Sequence, residues 1–214
     1  MTPEQACEKI HEQIHRLPAL GDPGKVAFQN GVYFYFEKGE ACSHAGGLRI
    51  VRVGSHTSPG GLVRRLQTHY RPNKNSSAFR KMLGGAILRS RMPDGRCLFP
   101  GPGKGHWEKQ GAKVCESCAP IEGEVTNYLR LNTRFRCLHV PDKWLAIEDA
   151  AIATISFCKE CAPSAAWLGR HSYSKGGRAV GLWESKGTDK YEFIADQKTI
   201  DWMTRCVDAT LSLL

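Results

Sequence analysis

The sequence predicts an α/β (α+β) fold: a small mixed, mainly antiparallel three-stranded sheet flanked by helices, with helical additions at both termini and a long inserted loop. Two neighbouring segments rich in β-branched and aromatic residues, 32–36 and 48–53, predict a hairpin. A third such segment lies at 134–140, and apolar residues at helical spacing occur before, between and after these strands. This order of elements is typical of one sheet covered by helices.

The composition is that of an ordinary globular protein. Hydrophobic residues make up 41% of the 214 residues, and the mean hydropathy is -0.38. No apolar run approaches the roughly 20 residues that a membrane span needs, and residues 1–5 lack the pattern of a secretion signal. We therefore expect a cytoplasmic protein. Because the nine cysteines cannot all pair within the chain, we expect mostly free thiols, with metal binding as the competing use.

The first element is a helix in the N-terminal segment, residues 1–24. Thr2, Pro3 and Gln5 predict a capping box with proline in the first helical turn. Apolar residues follow at helical spacing: Cys7, Ile10, Ile14 and Leu17. Pro18 then ends the pattern, so the helix is predicted to end before it.

The hairpin turn is predicted at Gly46 and Gly47, between the first two strands. Ser58 and Pro59 predict the cap of the next helix. One face of that helix is apolar: Leu62, Leu66 and Tyr70. Residues 77–91 predict a further helix.

The second half of the chain alternates loops with regular elements. Residues 92–120 are rich in Gly, Pro and Lys and predict a long functional loop or inserted subdomain. After the strand at 134–140, Asp142 predicts the cap of a helix that runs to about Ser156, and residues 179–183 resemble a strand. An amphipathic C-terminal helix is predicted from four apolar residues: Ile200, Met203, Val207 and Leu211.

The positive charge is concentrated in one stretch, residues 41–93. The formal net charge is +9, yet this stretch holds ten basic residues and no Asp or Glu, and the remainder holds 20 basic and 21 acidic residues. The ten are Arg49, Arg52, Arg64, Arg65, Arg71, Lys74, Arg80, Lys81, Arg89 and Arg91. A solvated surface usually mixes both signs, so this bias favours a polyanionic partner such as DNA.

Several residues of this region suit the hydrolysis of a phosphodiester bond. That reaction needs a proton acceptor for water, a cation for the phosphate and a carboxylate for a hard metal ion. Residues 31–33 read Gly-Val-Tyr on the first strand, and 52–54 read Arg-Val-Gly on the second. Residues 65–69 read Arg-Leu-Gln-Thr-His, and a helix further on carries Glu148.

This ordered set resembles the signature of the GIY-YIG endonucleases over roughly residues 31–155. The resemblance implies that Tyr33 helps to activate the attacking water, Arg65 binds the scissile phosphate and Glu148 holds one Mg²⁺ or Mn²⁺ ion. His69 would assist proton transfer or position the water. Each residue could instead have a purely structural role, such as sheet packing for the tyrosine. Tyr35 lies on the same face as Tyr33 and could take the catalytic role.

Arg52 departs from the family pattern, because it stands where the second signature tyrosine is expected. A guanidinium stays protonated and cannot act as a base. Arg52 could bind phosphate while His56, two residues past Gly54, supplies the missing proton-transfer group. If neither compensates, the chain would be a binding protein without activity.

The resemblance also suggests a division into three segments. Residues 1–24 would form an N-terminal helical segment, 25–160 the nuclease-like core with an insertion at 92–122, and 161–214 an extension packed on the core. Further basic residues are predicted to contact nucleic acid: Arg64, Arg71, Lys74, Arg80, Lys81 and Lys104.

Two Cys-x-x-Cys pairs have the spacing of zinc ligands: Cys115 with Cys118, and Cys158 with Cys161. If the fold unites them, they would form a structural Cys₄ zinc site that holds the long loop. Free buried thiols are the alternative.

Together these observations predict a metal-dependent DNA endonuclease, with restriction-type cutting of duplex DNA as the favoured form. A structure-specific repair or mobile-element nuclease comes next, and RNA stays open as a substrate. Cutting both strands with one active site per chain would need a homodimer or sequential nicking. The alternative from another class is a catalytically inactive module that binds nucleic acid, with or without a stabilising zinc ion.

Overall fold

Three antiparallel strands form the sheet of this computed structural model, which describes residues 1–56, 58–91, 107 and 119–214. They are β1 (Gly31–Ala41), β2 (Leu48–Gly54) and β3 (Thr133–His139). β1 is central, with β2 on one side and β3 on the other. Gly46 and Gly47 form the hairpin turn with φ of 66° and 73°, values that glycine adopts without strain. The predicted sheet is confirmed.

Helices cover both faces of this sheet. Their bounds are α1 (Pro3–His15), α2 (Leu62–Tyr70), α3 (Ala78–Arg91), α4 (Ala119–Asn132), α5 (Trp144–Phe157), α6 (Lys175–Val180) and α7 (Gln197–Leu211). Together with the three-stranded sheet, these helices confirm the predicted α/β class.

None of the described helices is long and apolar enough to cross a membrane.

Alternate side chains of β1 enter two separate cores, as the two-residue period of a strand requires. Val32 and Phe34 pack into the first core, with residues of α1, α5 and α7. Tyr33 and Tyr35 pack into the second core, with residues of α2, α3 and α4. The sheet is thus the middle of three layers, and its two faces meet different helices.

A buried carboxylate on β1 connects the second core to the C-terminal part of the chain. Glu37 accepts hydrogen bonds from the indole nitrogens of Trp183 at 2.8 Å and Trp167 at 3.2 Å, and from the hydroxyl of Tyr128. Burial raises the pKa of Glu37, while these three donors lower it. The carboxylate therefore joins residues far apart in sequence to the central strand.

The predicted helix boundaries were partly right. The capping box of α1 is present, with Thr2 and Gln5 in the predicted roles. Ser58 does not cap α2, because its carbonyl accepts the Gly61 N–H in a tight turn and the helix begins one residue later. Asp142 does not cap α5 either, since Lys143 precedes the helix with a left-handed φ of 50°.

Two segments have a secondary structure other than the predicted one. Residues 179–183 are not a strand. Helix α6 ends at Val180 and is capped by Gly181, whose φ is 76°, and the chain then extends so that the Trp183 N–H donates to the Val51 carbonyl at 2.7 Å. Helix α4 was not predicted, because Pro120 and Gly123 interrupt its apolar spacing. The three-segment division stays a prediction, although the first core draws on all three segments.

Candidate active site

The two halves of the signature meet across the β1–β2 pair. Tyr33 is directly opposite Gly54 in the strand register. A Cβ atom at position 54 would lie 2.3 Å from the Tyr33 hydroxyl oxygen, which is closer than real Cβ contacts. The glycine is therefore required because the tyrosine ring lies across the neighbouring strand.

The Tyr33 hydroxyl is hydrogen-bonded to a histidine of α2. Its Oη lies 2.9 Å from Nε2 of His69, whose Nδ1 lies 2.8 Å from Oγ of Ser77. Burial lowers the pKa of His69 well below its ordinary value, and the charges of Arg52 and Arg65 lower it further. His69 is thus neutral near pH 7, and when Nδ1 donates to Ser77, Nε2 can accept the phenolic proton.

Arg65 lies one helical turn before His69 on α2 and is partly exposed. Its Nη1 donates to the Ser76 carbonyl at 3.2 Å. Within the described part of the chain it forms no ion pair with a carboxylate. Its charge nevertheless reaches both His69 and Glu184, so the guanidinium lies beside the site and can accept a phosphate as its partner.

Glu148 lies in the first half of α5 and is partly exposed. Its Oε2 accepts a hydrogen bond from the Ser55 hydroxyl, which follows β2. Its Oε1 has no hydrogen-bond donor among the described residues. A partly exposed carboxylate with one uncommitted oxygen suits Mg²⁺, which binds through one or two carboxylates together with water and substrate phosphates. The neighbouring Asp149 instead faces Lys190 at 3.9 Å.

Arg52 is buried and already has partners. It forms an ion pair with Glu184 at 3.2 Å, donates to the Trp183 carbonyl and lies over the ring of Phe79 at 5.0 Å. Burial alone would lower its pKa, but the charge of Glu184 and the neighbouring Tyr33 phenol raise it. Arg52 is therefore a fixed cation beside the phenol.

Glu184 is the site residue that sequence reasoning missed. Burial raises its pKa to about 7, helped by the charge of Glu148 and opposed by Arg52. Its Oε1 accepts the Val53 N–H at 3.3 Å. The only sequence signal was indirect, since a buried arginine on a central strand pair requires a counter-charge from elsewhere.

His56 is held by the backbone. Its Nε2 accepts the Gly31 N–H at 3.1 Å, and its Nδ1 lies 2.6 Å from the Ser58 carbonyl. The ring also stacks on Trp144 at 4.3 Å between centroids, and it is buried. With both ring nitrogens in use, this arrangement favours a structural role for His56 over proton transfer.

Tyr35 differs from Tyr33 in that its hydroxyl has no hydrogen-bond partner among the described residues. It is fully buried against Phe79 and Phe135, and burial raises its pKa well above the ordinary value. Its ring centroid is 6.0 Å from that of His69, whereas Tyr33 makes the hydrogen bond. The geometry favours Tyr33 as the reacting tyrosine.

The Arg52–Glu184 pair links the three key groups. After Glu184, the neighbouring Tyr33 phenol and the charge of Glu148 also raise the pKa of Arg52. Its partner Glu184 is influenced by both Glu148 and Arg65. The phenol, the guanidinium and the carboxylate therefore all act electrostatically on one ion pair. Arg65 and Glu148 are partly exposed, and Tyr33 is buried.

The basic stretch is less exposed than its sequence suggests. Three of its arginines are buried in ion pairs with acids from outside the stretch: Arg49 with Glu40, Arg52 with Glu184 and Arg80 with Glu122.

Arg80 also donates to the carbonyls of His69 and Glu122. The Arg80 guanidinium is therefore engaged in holding α3 against α4, which does not support the prediction that it contacts nucleic acid. Lys74 and Lys81 are buried as well, so they do not present a basic surface. Arg64 and Arg71 are exposed as expected, and Lys104 lies outside the described residues.

The second Cys-x-x-Cys pair has thiol neighbours that were not predicted. Cys161 lies 3.6 Å, between sulfurs, from both Cys7 and Cys42. Cys115 and Cys118, the predicted partners of Cys158 and Cys161, lie outside the described residues.

Comparison with known proteins gives one match. The model of a family described as GIY-YIG domain matches residues 6–213, nearly the whole chain. Searches of curated proteins and of solved structures found no match.

Proposed function

This chain belongs to the GIY-YIG family, and on that premise we propose that it is a metal-dependent endonuclease that hydrolyses phosphodiester bonds in DNA. The observation that carries the proposal is the hydrogen bond of 2.9 Å between Tyr33 and His69, in a site bordered by Arg65 and Glu148. This combination supplies a proton acceptor, a phosphate-binding cation and a metal-binding carboxylate.

The Tyr33–His69 pair would activate the attacking water. As water adds to phosphorus and the P–O bond to the leaving oxygen breaks, the water proton passes to Oη of Tyr33, the phenolic proton passes to Nε2 of His69, and the leaving oxygen takes up a proton from solvent. The low pKa of His69 keeps its ring neutral and able to accept at pH 7. Arg52, fixed beside the phenol by Glu184, would stabilise negative charge that develops on Oη during the transfer.

Arg65 and Glu148 would act on the phosphate from the partly exposed side of the site. Arg65 would bind the non-bridging oxygens and offset the charge that grows on them. Glu148 would hold the Mg²⁺ or Mn²⁺ ion, which supplies Lewis-acid stabilisation of the phosphate when bound. Ser55 would keep the carboxylate oriented through its hydrogen bond.

Duplex DNA is the proposed substrate, and restriction-type cutting is the favoured form. Arg64 and Arg71 are exposed on and just after the helix that carries Arg65, where they can reach phosphates flanking the scissile bond. One active site per chain would cut two strands either as a homodimer or by sequential nicking. Light scattering with and without a duplex distinguishes these two forms.

Supercoiled plasmid tests the proposal directly. With Mg²⁺ or Mn²⁺ the wild-type protein should nick or linearise it, and Glu148→Ala should lower the rate at least about 1000-fold. Asp149→Ala is the matched control, since it removes the next carboxylate on α5 and should leave the rate nearly unchanged. Equal rates for Glu148→Ala and wild type would overturn the assignment, and sequenced product ends would reveal whether cutting is site-specific.

A nucleic-acid-binding module without catalysis is the second candidate. Two observations favour it: Arg52 replaces the second signature tyrosine and is held in an ion pair, and Tyr33 is fully buried. Tight, salt-sensitive DNA binding without nicking under any divalent metal would support this module over the nuclease.

A further inference from the structure

Four buried thiols from three separate elements meet at one point. Cys7 comes from α1, Cys42 directly follows β1, and Cys158 and Cys161 follow α5. The Cys161 sulfur lies 3.6 Å from the sulfurs of Cys7 and Cys42. Cys158 reaches the same point, because its sulfur lies 3.6 Å from Nε2 of His44, which itself lies 3.5 Å from the Cys161 sulfur. These residues are free thiols, so no covalent bond explains the cluster.

The spacing of these sulfurs is that of ligands around one metal ion. A disulfide would bring two sulfurs to about 2.05 Å. Sulfurs bound to a tetrahedral zinc ion, with Zn–S bonds of about 2.3 Å, lie about 3.8 Å from one another. The sulfur distances of 3.6 Å match the second value. Apolar packing alone does not account for the meeting of four of the six described cysteines, because thiols then pack against carbon.

Two histidines adjoin the thiols, and their hydrogen bonds separate their roles. His11 belongs, with Cys7, Cys161 and His44, to a group whose ligand atoms all lie within 4.8 Å of one another. Its Nδ1 donates to the Cys7 carbonyl at 2.9 Å, and its Nε2 accepts the Ile50 N–H at 3.1 Å. It has no free lone pair for a metal. His44 is partly exposed, and its Nε2 lies 3.5 Å from Cys161 and 3.6 Å from Cys158. It is placed to donate its N–H to these two sulfurs.

We propose that Cys7, Cys42, Cys158 and Cys161 bind one structural zinc ion as four thiolates. Binding converts the four thiols to thiolates and releases four protons to solvent, without any change of oxidation state. The four ligands leave no open position, which is typical of a structural rather than a catalytic zinc site. The His44 N–H offsets part of the negative charge of the thiolates.

The ion would fasten the ends of two elements that carry catalytic groups. Cys42 comes one residue after β1, which holds Tyr33 near its start, and Cys158 comes one residue after α5, which holds Glu148 in its first half. Cys7 adds α1 to the same point. The site therefore lies at the opposite ends of these elements from the catalytic groups and does not depend on the proposed nuclease activity.

Metal analysis of the full chain tests this inference. Protein purified under reducing conditions without chelator should contain one zinc ion per chain, retained in excess Mg²⁺. Cobalt exchanged into the site should give the intense visible bands of a tetrahedral cobalt–thiolate centre. A mercurial reagent should release the zinc as four thiols react. Reduced wild-type protein that contains no zinc and takes up neither metal would overturn the proposal.

Variants test which residues are ligands. Cys42→Ala should lose the metal and melt at a lower temperature, whereas Cys206→Ala should keep it. Cys206 is the matched control, because it is buried in the same core and makes no sulfur contact among the described residues. His44→Ala should retain stoichiometric zinc. Loss of zinc in His44→Ala with retention in Cys42→Ala would overturn the four-cysteine assignment, and the wild-type measurements decide the matter if Cys42→Ala does not fold.

Discussion

The elements β1 and α5 carry chemically different groups at their two ends. Tyr33 and Glu148 lie at one end, and Cys42, Cys158 and Cys161 lie at the other. The first end presents oxygen and nitrogen donors and is partly exposed, as a hard metal ion and a phosphate require. The second end is a buried group of sulfurs, which suits a softer metal with a structural role. In the proposed enzyme, the same two elements would separate reaction chemistry from stability.

The sharpest way to test this separation is to remove one oxygen from the catalytic end. Tyr33→Phe should lower the cleavage rate about 100- to 10,000-fold, because the relay to His69 loses its first member. The free energy of unfolding should change by only about 1 kcal/mol, the worth of one hydrogen bond. Plasmid cleavage and urea denaturation measure the two effects.

Tyr35→Phe is the control for that experiment. It removes a hydroxyl from the same face of the same strand, but one that makes no hydrogen bond among the described residues. It should leave cleavage within a few-fold of wild type. A large loss in Tyr35→Phe with none in Tyr33→Phe would exchange the two assignments.

A substitution at the cysteine end should lower stability without lowering the cleavage rate. Cys161→Ala removes the sulfur that contacts both Cys7 and Cys42, and it should lower the free energy of unfolding by about 3 kcal/mol or more in the presence of zinc. Cleavage per folded molecule should stay near the wild-type rate. Cys137→Ala, at a buried cysteine of the second core, should cost less and should not depend on zinc.

A third test uses the buried acid of the catalytic end. Because the folded state raises the pKa of Glu184 from 4.5 to about 7, its contribution to stability is fully present below pH 4.5 and is lost as the pH rises through 7. That loss amounts to about 3 kcal/mol. Glu184→Gln stays neutral, so in metal-free buffer it should gain stability relative to wild type over this range.

The matched control for Glu184→Gln is Glu160→Gln, which changes an exposed carboxylate. Its stability difference from wild type should be nearly independent of pH between 4.5 and 8. A flat difference curve for Glu184→Gln as well would mean that the Arg52–Glu184 pair is fully ionised throughout.

The smallest expected effect comes from His69 and has the opposite sign. Its pKa is lowered in the folded state, so its contribution to stability is present above the ordinary pKa of 6.5 and is lost as the pH falls. The slope is at most about 1.4 kcal/mol per pH unit. His69→Gln should flatten the acid side of the stability curve, whereas His171→Gln, at an exposed position, should not. Unchanged acid sensitivity in His69→Gln would contradict this prediction.

The parts of the molecule that the sequence predicted are those whose signals are local. The hairpin, the third strand and α1 each follow from periodicity or capping within a few neighbouring residues, and the structure contains all of them. Tyr33 and His69 could be paired because the signature motif relates their positions. The helix α4 was missed because Pro120 and Gly123 hid its apolar spacing.

Features that depend on distant pairs could not be predicted from the sequence. Cys7 meets Cys161 across 154 positions, and Arg52 meets the segment of Trp183 across 131. The local sequence carries no signal for such a partner, because the two residues become neighbours only when the chain folds. For the same reason the exposure of the basic stretch was overestimated, since the acid that buries Arg80 lies 42 residues away.

The carboxylate of Glu37 connects a position outside the proposed active site to the residues of that site. It holds the indole of Trp183, whose carbonyl and next residue, Glu184, together fix Arg52 beside the phenol. A substitution at position 37 would therefore loosen a chain of contacts that ends at the reacting oxygen. An enzyme could be silenced in this way with every reacting side chain intact, and inspection of the signature motif would miss the cause.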